Sequence, residues 1–371
     1  MKKRADGRYC KQILIGYHPD GRRKLKNIYG GTIREVEKKE RTLREKIDNR
    51  ELIDADKMNF SEWADNWLKT YKRDNVTYNT YKMYKNAVET HLVPVIGDIP
   101  LKNIKTVQLQ QILNEIVNEG NTRSAEICKL TLCQIFKQAL YNRIVPYDIT
   151  VGLQQIKRRK TEKRPLTEFE RASIKIAPLN VRQRTFIDIM RYMGLRRGET
   201  LALTKSDVDL QAMKLSVNKS LAFVENNYEI KEPKTEKSKR VLPIPQIVKE
   251  ELRDYLGSLK GKILFPASNG EYMTRSSFRK FWEGIIKTVE GSSTLLANNN
   301  GKFKDCTISF TPHIFRHTYA TDIYYSGIDI KTAQYLLGHS SINVTLDIYT
   351  HLDKEKMEDA AEKLNKFLCS N

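Results

Sequence analysis

The stretch Met193-Gly194-Leu195-Arg196-Arg197-Gly198-Glu199-Thr200-Leu201 sets the reading of the chain. It closes an amphipathic helix, Val181 to Met193, on a glycine, and sets two arginines ahead of what reads as a second helix. Arg196 on that turn projects into a cleft, and Glu199 is spaced to orient its guanidinium. Such a string alone is most often a surface turn, so its neighbours decide. Downstream, Lys231 to Pro243 (KEPKTEKSKRVLP) reads as a lysine-rich hairpin between two strands. It is either a solvated turn or, in a DNA-binding domain, a tip carrying Lys234 into the minor groove. Further on, Thr311-Pro312-His313-Ile314-Phe315-Arg316-His317 offers an N-cap and a proline suited to the first helical position. His313 and Arg316 then share a face at the positive end of a helix, a prepared phosphate site. His317 falls one position off that pair and reads as a packing residue. In Leu336-Leu337-Gly338-His339-Ser340-Ser341, Gly338 ends a helix, His339 lies in the turn and Ser341 caps the next helix. That helix carries Tyr349 among Asp347, Thr350 and His351, a polar setting for its hydroxyl.

Composition limits what such a cationic set can do. The chain has 371 residues, 40% of them hydrophobic and 30% charged, enough apolar material for two or three folded domains and too much for a disordered chain. Lysine and arginine total 65 against 45 acidic residues, a net charge of +20 that needs a negative partner such as nucleic acid. No apolar run approaches a membrane span, and the N-terminal basic stretch lacks the apolar core of a signal peptide. The five cysteines have no CxxC spacing, which points away from a disulfide framework or zinc ribbon and toward a reducing cytosol. There is no HExxH, Walker A or GxGxxG string. His313 and His317 have ligand spacing, but Arg316 between them disfavours a cation, so no metal or cofactor is expected.

The organisation upstream fits the same partner. Residues 1–50 hold 16 Lys/Arg against 7 Asp/Glu. Arg8 to Gly16 and Arg22 to Tyr29 alternate as strands around an Asp20-Gly21 turn, and Ile33 to Ile47 reads as a surface helix. This small sheet with its helix is a DNA-groove reader or a solvated charged face. We place the first unit at 1–55 and a helical unit at 58–156. Ser61 is the expected cap of the latter's first helix; Thr77 to Leu92, Val107 to Val117 and Ser124 to Asn142 are the others. Gln155 to Arg164 is a basic connector, with the linker at 157–165. The remainder, 166–371, reads as an α+β domain. Its strands at Met213–Val217, Tyr228–Lys231 and Arg240–Ile244 are expected to form one antiparallel sheet, and Ser292–Lys302 a polar loop. The fold class is multidomain, mainly α with small antiparallel β-sheets.

Taken together the four strings resemble the tyrosine recombinase family of phage and conjugative-transposon integrases and chromosome-dimer resolvases. GLRRGE looks like its first arginine motif, Lys234 its hairpin lysine, His313 and Arg316 its HxxR pair. LGHS matches its second histidine motif at His339, and the tyrosine of DIYTH its nucleophile, Tyr349. Lys231, Lys237 and Lys239 compete with Lys234 for its role. Thr77 to Leu101 resembles the core-site-binding domain of the family, and the basic first 50 residues its arm-site-binding domain. The resemblance implies the DNA breaking–rejoining catalytic fold, and a site-specific recombinase that integrates and excises a mobile element. It also implies a 3′-phosphotyrosine intermediate without metal or ATP, a Holliday junction, a homotetramer on double-stranded DNA, and DNA-bending and directionality proteins as accessory partners.

The residue types suit that chemistry. Attack on a phosphodiester builds negative charge on phosphorus, and two guanidinium forks, Arg196 and Arg316, are suited to stabilise it. The Tyr349 phenol must lose its proton, with His313 as base; Lys234 protonates the departing 5′ oxygen, and His339 donates a hydrogen bond to the phosphate. Residues 351–371 contain 4 Lys/Arg and 5 Asp/Glu, with an apolar stripe at Met357, Ala360, Ala361, Leu364 and Phe367. That tail suits a neighbouring subunit's groove, or packing on its own domain. The competing readings are a type IB topoisomerase, a DNA-binding protein with a dead site, and a metal-dependent nuclease or DDE transposase.

Overall fold

A computed structural model describes residues 1, 3–17, 22–48, 58–157, 164–232, 239–299, 301–304 and 306–349. The chain divides into two compact units, Met1–Lys160 and Thr161–Asn371. The Asp20-Gly21 turn, the middle of the expected linker, Lys234, Thr350, His351 and the C-terminal stripe lie outside the described residues.

The first unit holds two apolar cores. At its N-terminal end β1 (Tyr9–Tyr17) and β2 (Arg23–Gly30) form an antiparallel pair with α1 (Ile33–Asp48) against it. Alternation turns Ile13 and Ile28 inward, where they meet Val36 and Leu43 of the helix. The other face carries Gln12, Leu14, Leu25 and Asn27, all exposed, and the Tyr29 ring, under the guanidiniums of Arg4 and Arg8.

The second core belongs to a helical assembly: α2 (Phe60–Trp67), α3 (Tyr78–Asn86), α4 (Val93–Ile96), α5 (Thr106–Asn118) and α6 (Thr122–Tyr141). Two π turns, Leu68–Lys72 and Ala87–Leu92, extend α2 and α3. The aromatic stripe is core: Phe60, Trp67 and Phe136 are almost wholly buried, and the Trp63 indole donates to the Ile135 carbonyl. Ser61 is not the cap expected of it. The helix starts at Phe60, and the first amides, those of Phe60 and Ser61, donate to the carbonyls of Ile99 and Gly97. Tertiary backbone contacts replace the side-chain cap.

The second unit begins with α7 (Glu168–Ile176), α8 (Val181–Met193) and α9 (Arg197–Ala202). The capping box at Thr167 and Glu170 is present. Its strands are β3 (Val208–Asp209), β4 (Lys214–Val217), β5 (Ser220–Val224), β6 (Asn227–Lys231) and β7 (Arg240–Pro243). They make two sheets rather than the single one expected: β3-β4-β7, and a separate β5-β6 hairpin. The two-residue turn Glu225-Asn226, with Glu225 at φ 53°, folds β6 onto β5, a partner missing from the sequence reading.

Helices α10 (Gln246–Ser258), α11 (Arg275–Asn299), α12 (Pro312–Tyr325) and α13 (Ile330–Leu337) follow, then α14 (342–349). The stretch from Ser292 is not a loop as far as Asn299; it is the last part of α11. Ser292 and Ser293 return their hydroxyls to the carbonyls of Thr288 and Glu290, so their polarity does not interrupt the helix. The core of this unit runs from Phe186 through Phe265 and Phe278 to Phe315. A smaller cluster of Ala320, Ile323, Ala333 and Leu337 joins α12 to α13.

Candidate active site

Gly194 takes the left-handed conformation, φ 67°, that closes α8. A Cβ there would lie 2.1 Å from Cδ1 of Tyr319, so the turn accepts only glycine. The chain leaves it through buried Leu195 and reaches Arg196 at the N-cap of α9. The Arg196 amide donates to Oε2 of Glu199 at 2.9 Å, and its guanidinium to Oε1 at 2.7 Å. Glu199 therefore orients Arg196 as its spacing suggested. Arg197 turns away onto the rings of Phe223 and Phe278.

Arg316 reaches the same place from α12. It is 3% exposed, and its guanidinium donates to the Gly194 carbonyl at 2.9 Å and to the Leu337 carbonyl. Thr311 occupies the N-cap position of α12 without a side-chain cap bond, and Pro312 follows it. Of the two groups expected on one face, Arg316 points into the protein. His313 is exposed, its ring set edge-on to His317 at 4.7 Å.

What gathers the arginines is the C-terminus of α13. The carbonyls of three successive residues each accept from a different guanidinium: Leu336 from Arg240 at 3.1 Å, Leu337 from Arg316, and Gly338 from Arg196 at 3.0 Å. Unsatisfied carbonyls at the negative end of a helix favour cations. His339 follows directly, its amide on the Gln334 carbonyl and its carbonyl on the Gln334 side chain. Its Nδ1 lies 2.9 Å from Oγ1 of the buried Thr345. Ser341 caps α14, its hydroxyl accepting from the Asn343 amide.

Electrostatics follow from this crowding. Burial tends to raise the Glu199 carboxyl, but the hydrogen bonds and charge of Arg240 and the charge of Arg196 outweigh it and hold it at about 2. Arg316 is brought down to about 9 by burial first and then by Arg196 and Arg240, opposed by Glu199, and stays charged at neutral pH. Burial and the charges of Arg316, Arg196 and Arg240 bring His339 down to about 3, so its imidazole is neutral. A neutral ring carries one N–H: with Nδ1 accepting from the Thr345 hydroxyl, Nε2 holds the proton and is able to donate; with Nδ1 donating to it, Nε2 is the acceptor.

Tyr349 is elsewhere. Its hydroxyl donates to the Ile328 carbonyl at 3.3 Å, and its ring meets Tyr324 edge-on at 4.9 Å. Burial, then the charge of Asp329, raises its pKa. Arg196, Arg316 and His339 thus come together, His313 lies at the exposed start of α12, and the phenol is docked on the α12–α13 connection.

The sequence reading passed over Arg240 and Thr345. Arg240 enters the sequence reading only as the first residue of a strand, yet its side chain is wholly buried and grips both oxygens of Glu199 at 3.2 and 2.8 Å. A signal existed: Arg240 and Leu242 are two apart in a strand, so a strand that buries Leu242 turns Arg240 inward as well. Among the described residues no group of three or more potential metal ligands occurs, and no helix is long and apolar enough to cross a membrane.

Residues 171–356 match the phage integrase family, and residues 59–117 match the N-terminal SAM-like domain of phage integrases. The chain is 26% identical to a XerC-like tyrosine recombinase of Caldanaerobacter subterraneus subsp. tengcongensis, over 96% of this chain and 95% of that protein. Its fold is similar to that of the Tn1549 transposon integrase in complex with transposon right end DNA: TM-score 0.67, 23% identity, 82% of this chain and all of that one. It is also similar to a lambda integrase tetramer bound to a Holliday junction, with TM-score 0.61 and 18% identity over 94% of this chain and 93% of that one.

Proposed function

This chain belongs to the phage integrase family and is a DNA-acting tyrosine recombinase, and we propose that Arg196, Lys234, His313, Arg316, His339 and Tyr349 carry its chemistry. The convergence of Arg196, Arg316 and His339 on one helix end supports the reading. Arg196 keeps 40% of its side chain in solvent, placed to receive a phosphate; Arg316 behind it and the neutral His339 add charge and a hydrogen-bond donor.

In the proposed reaction the Tyr349 oxygen attacks the scissile phosphorus and passes its proton to His313. The bond from phosphorus to the 5′ oxygen breaks, and Lys234 protonates that oxygen. The product, a 3′-phosphotyrosine and a free 5′ hydroxyl, keeps one phosphodiester-type bond for each one broken. Attack by the 5′ hydroxyl of a partner duplex restores the DNA backbone and the phenol, with no high-energy cosubstrate. For this to begin, the Tyr349 hydroxyl has to leave the Ile328 carbonyl.

We further assign strand exchange to a homotetramer through a Holliday junction, acting on a mobile element in the bacterial cytosol. Accessory DNA-bending and directionality proteins belong to this reading. The helical assembly around Trp67 would hold the core site. The sheet face of Gln12, Leu14, Leu25 and Asn27, flanked by the Arg4–Tyr29–Arg8 stack, would meet an arm site. The tail after Tyr349 would pack on a neighbouring subunit.

A nicked suicide site tests the assignment. The native chain is expected to form a covalent protein–DNA adduct in EDTA, and Tyr349→Phe none while still binding DNA. Adduct from the variant removes Tyr349 as nucleophile; an EDTA-sensitive reaction favours a metal-dependent nuclease.

A further inference from the structure

We infer that Arg240 is a positioning residue of the cleavage site, fixing Arg196 through Glu199 and His339 through the end of α13. The inference rests on the proposed roles of Arg196 and His339. Arg240 opens β7, which pairs with β4 from Val217↔Arg240 to Lys214↔Pro243. Its side chain has no exposure to solvent, so it does not meet the phosphate itself. Its donors divide between two structures. Nη1 and Nη2 take the two oxygens of Glu199, the carboxylate that also holds the guanidinium and amide of Arg196. Nε takes the carbonyl of Leu336, three residues before His339.

The surroundings are built around that guanidinium. At Gly338, φ 62°, a Cβ would stand 2.7 Å from Nη1 and 3.0 Å from Cζ of Arg240, so the turn that presents His339 closes against the arginine. Beside it the Tyr335 hydroxyl lies 3.1 Å from the amide and 3.3 Å from the carbonyl of Val241, a second tie between α13 and β7. A single ammonium cannot hold both carboxylate oxygens and a carbonyl in the geometry of a planar fork. With Arg240 removed, Glu199 keeps only Arg196 of its two guanidinium partners and is free to turn, and the Leu336 end of α13 loses its tie to β7.

Arg240→Lys and Arg240→Met test this by single-turnover cleavage of a suicide site at saturating DNA, with site affinity and thermal unfolding measured alongside. Displacing reacting groups by about 1 Å costs on the order of 100-fold in rate. We expect a cleavage loss of that order in both variants, with affinity for the site retained. Placing Arg240→Met in a Glu199→Gln background is expected to cost less than Arg240→Met alone, because the Glu199 link is already gone and only the tie to α13 remains to be lost; a purely structural arginine would add its full effect. Wild-type cleavage by either variant overturns the inference. So does loss of the folded transition in both, because the guanidinium would then hold the domain rather than its site. An adduct surviving Tyr349→Phe instead points to failure of the underlying functional reading, which separates the two.

Discussion

Tyr349 donates its hydroxyl to the carbonyl of Ile328 at 3.3 Å, so the proposed nucleophile is docked on backbone while the guanidiniums of Arg196 and Arg316 sit on the far end of α13. The dock is light. It consists of that hydrogen bond, the edge of Tyr324 at 4.9 Å and the apolar cluster around Leu337. Burial and the carboxylate of Asp329 hold the phenol above its ordinary pKa, the reverse of what an attacking oxygen needs. Docking keeps the proposed nucleophile protonated as well as displaced.

Loosening the dock should therefore help the reaction. An aromatic pair contributes about 1 kcal/mol beyond its burial, which corresponds to about a fivefold change in a population ratio. Tyr324→Leu is expected to speed adduct formation on a suicide site by about that factor, with the burial of the side chain retained. A rate at or below that of the native chain would show that the dock does not restrain the phenol.

Glu199 gives a prediction in acid. Its folded pKa of about 2 lies below the ordinary 4.5, so the folded state binds its proton less readily than the unfolded chain. The contribution is complete above about pH 4.5 and is lost as pH falls through about 2. Glu199→Gln leaves the buried Arg240 without its counter-charge, at a cost of about 3–5 kcal/mol near neutrality. Urea titrations should show the gap between native chain and variant closing over that acid window. A gap independent of pH there would mean that the carboxylate carries no such linkage.

The legible and illegible parts of this molecule differ in range. Gly194 and Gly338 end their helices, Glu199 holds Arg196, and Ser341 caps α14, each because partners a few residues apart are fixed by helix geometry. The motif strings carried the family for the same reason. What the sequence reading lost needed partners far along the chain. Ser61 yields its capping role to the carbonyls of a loop near Gly97, and Arg240 finds Glu199 and Leu336 across the fold. The fate of Tyr349 was the least legible, because its polar neighbours in sequence say nothing of the Ile328 carbonyl that accepts its hydrogen bond.

His339 should be silent across neutral pH. Burial comes first, then Arg316, Arg196 and Arg240, and together they bring it to about 3 from an ordinary 6.5. The folded state keeps the ring neutral, so its stabilising contribution is complete above 6.5 and is lost as pH falls toward 3. In NMR its ring protons are expected to stay constant from about pH 8 to pH 5. A His339 midpoint near 6.5 would mean that the arginine cluster is not formed around it in solution.

The acid pair between α8 and α10 bears on stability alone and runs in the opposite direction from Glu199. Asp188 is held well above the ordinary carboxylate range by burial and then by the hydrogen bond and charge of Glu251, with Arg184 and Arg191 opposing. Its folded pKa is raised, so the folded state retains a proton that the unfolded chain has already lost near pH 3.8. The domain therefore loses stability as pH rises from there through neutrality. An asparagine in place of Asp188 presents a neutral amide that can still donate to Glu251 without any proton to surrender. On the scale of a one-unit shift, Asp188→Asn is expected to stabilise the domain by about 1–2 kcal/mol at alkaline pH and to flatten this decline. The check is urea unfolding of native chain and variant from about pH 5 to pH 9; a variant that is less stable throughout would place the charged form of Asp188 in the fold.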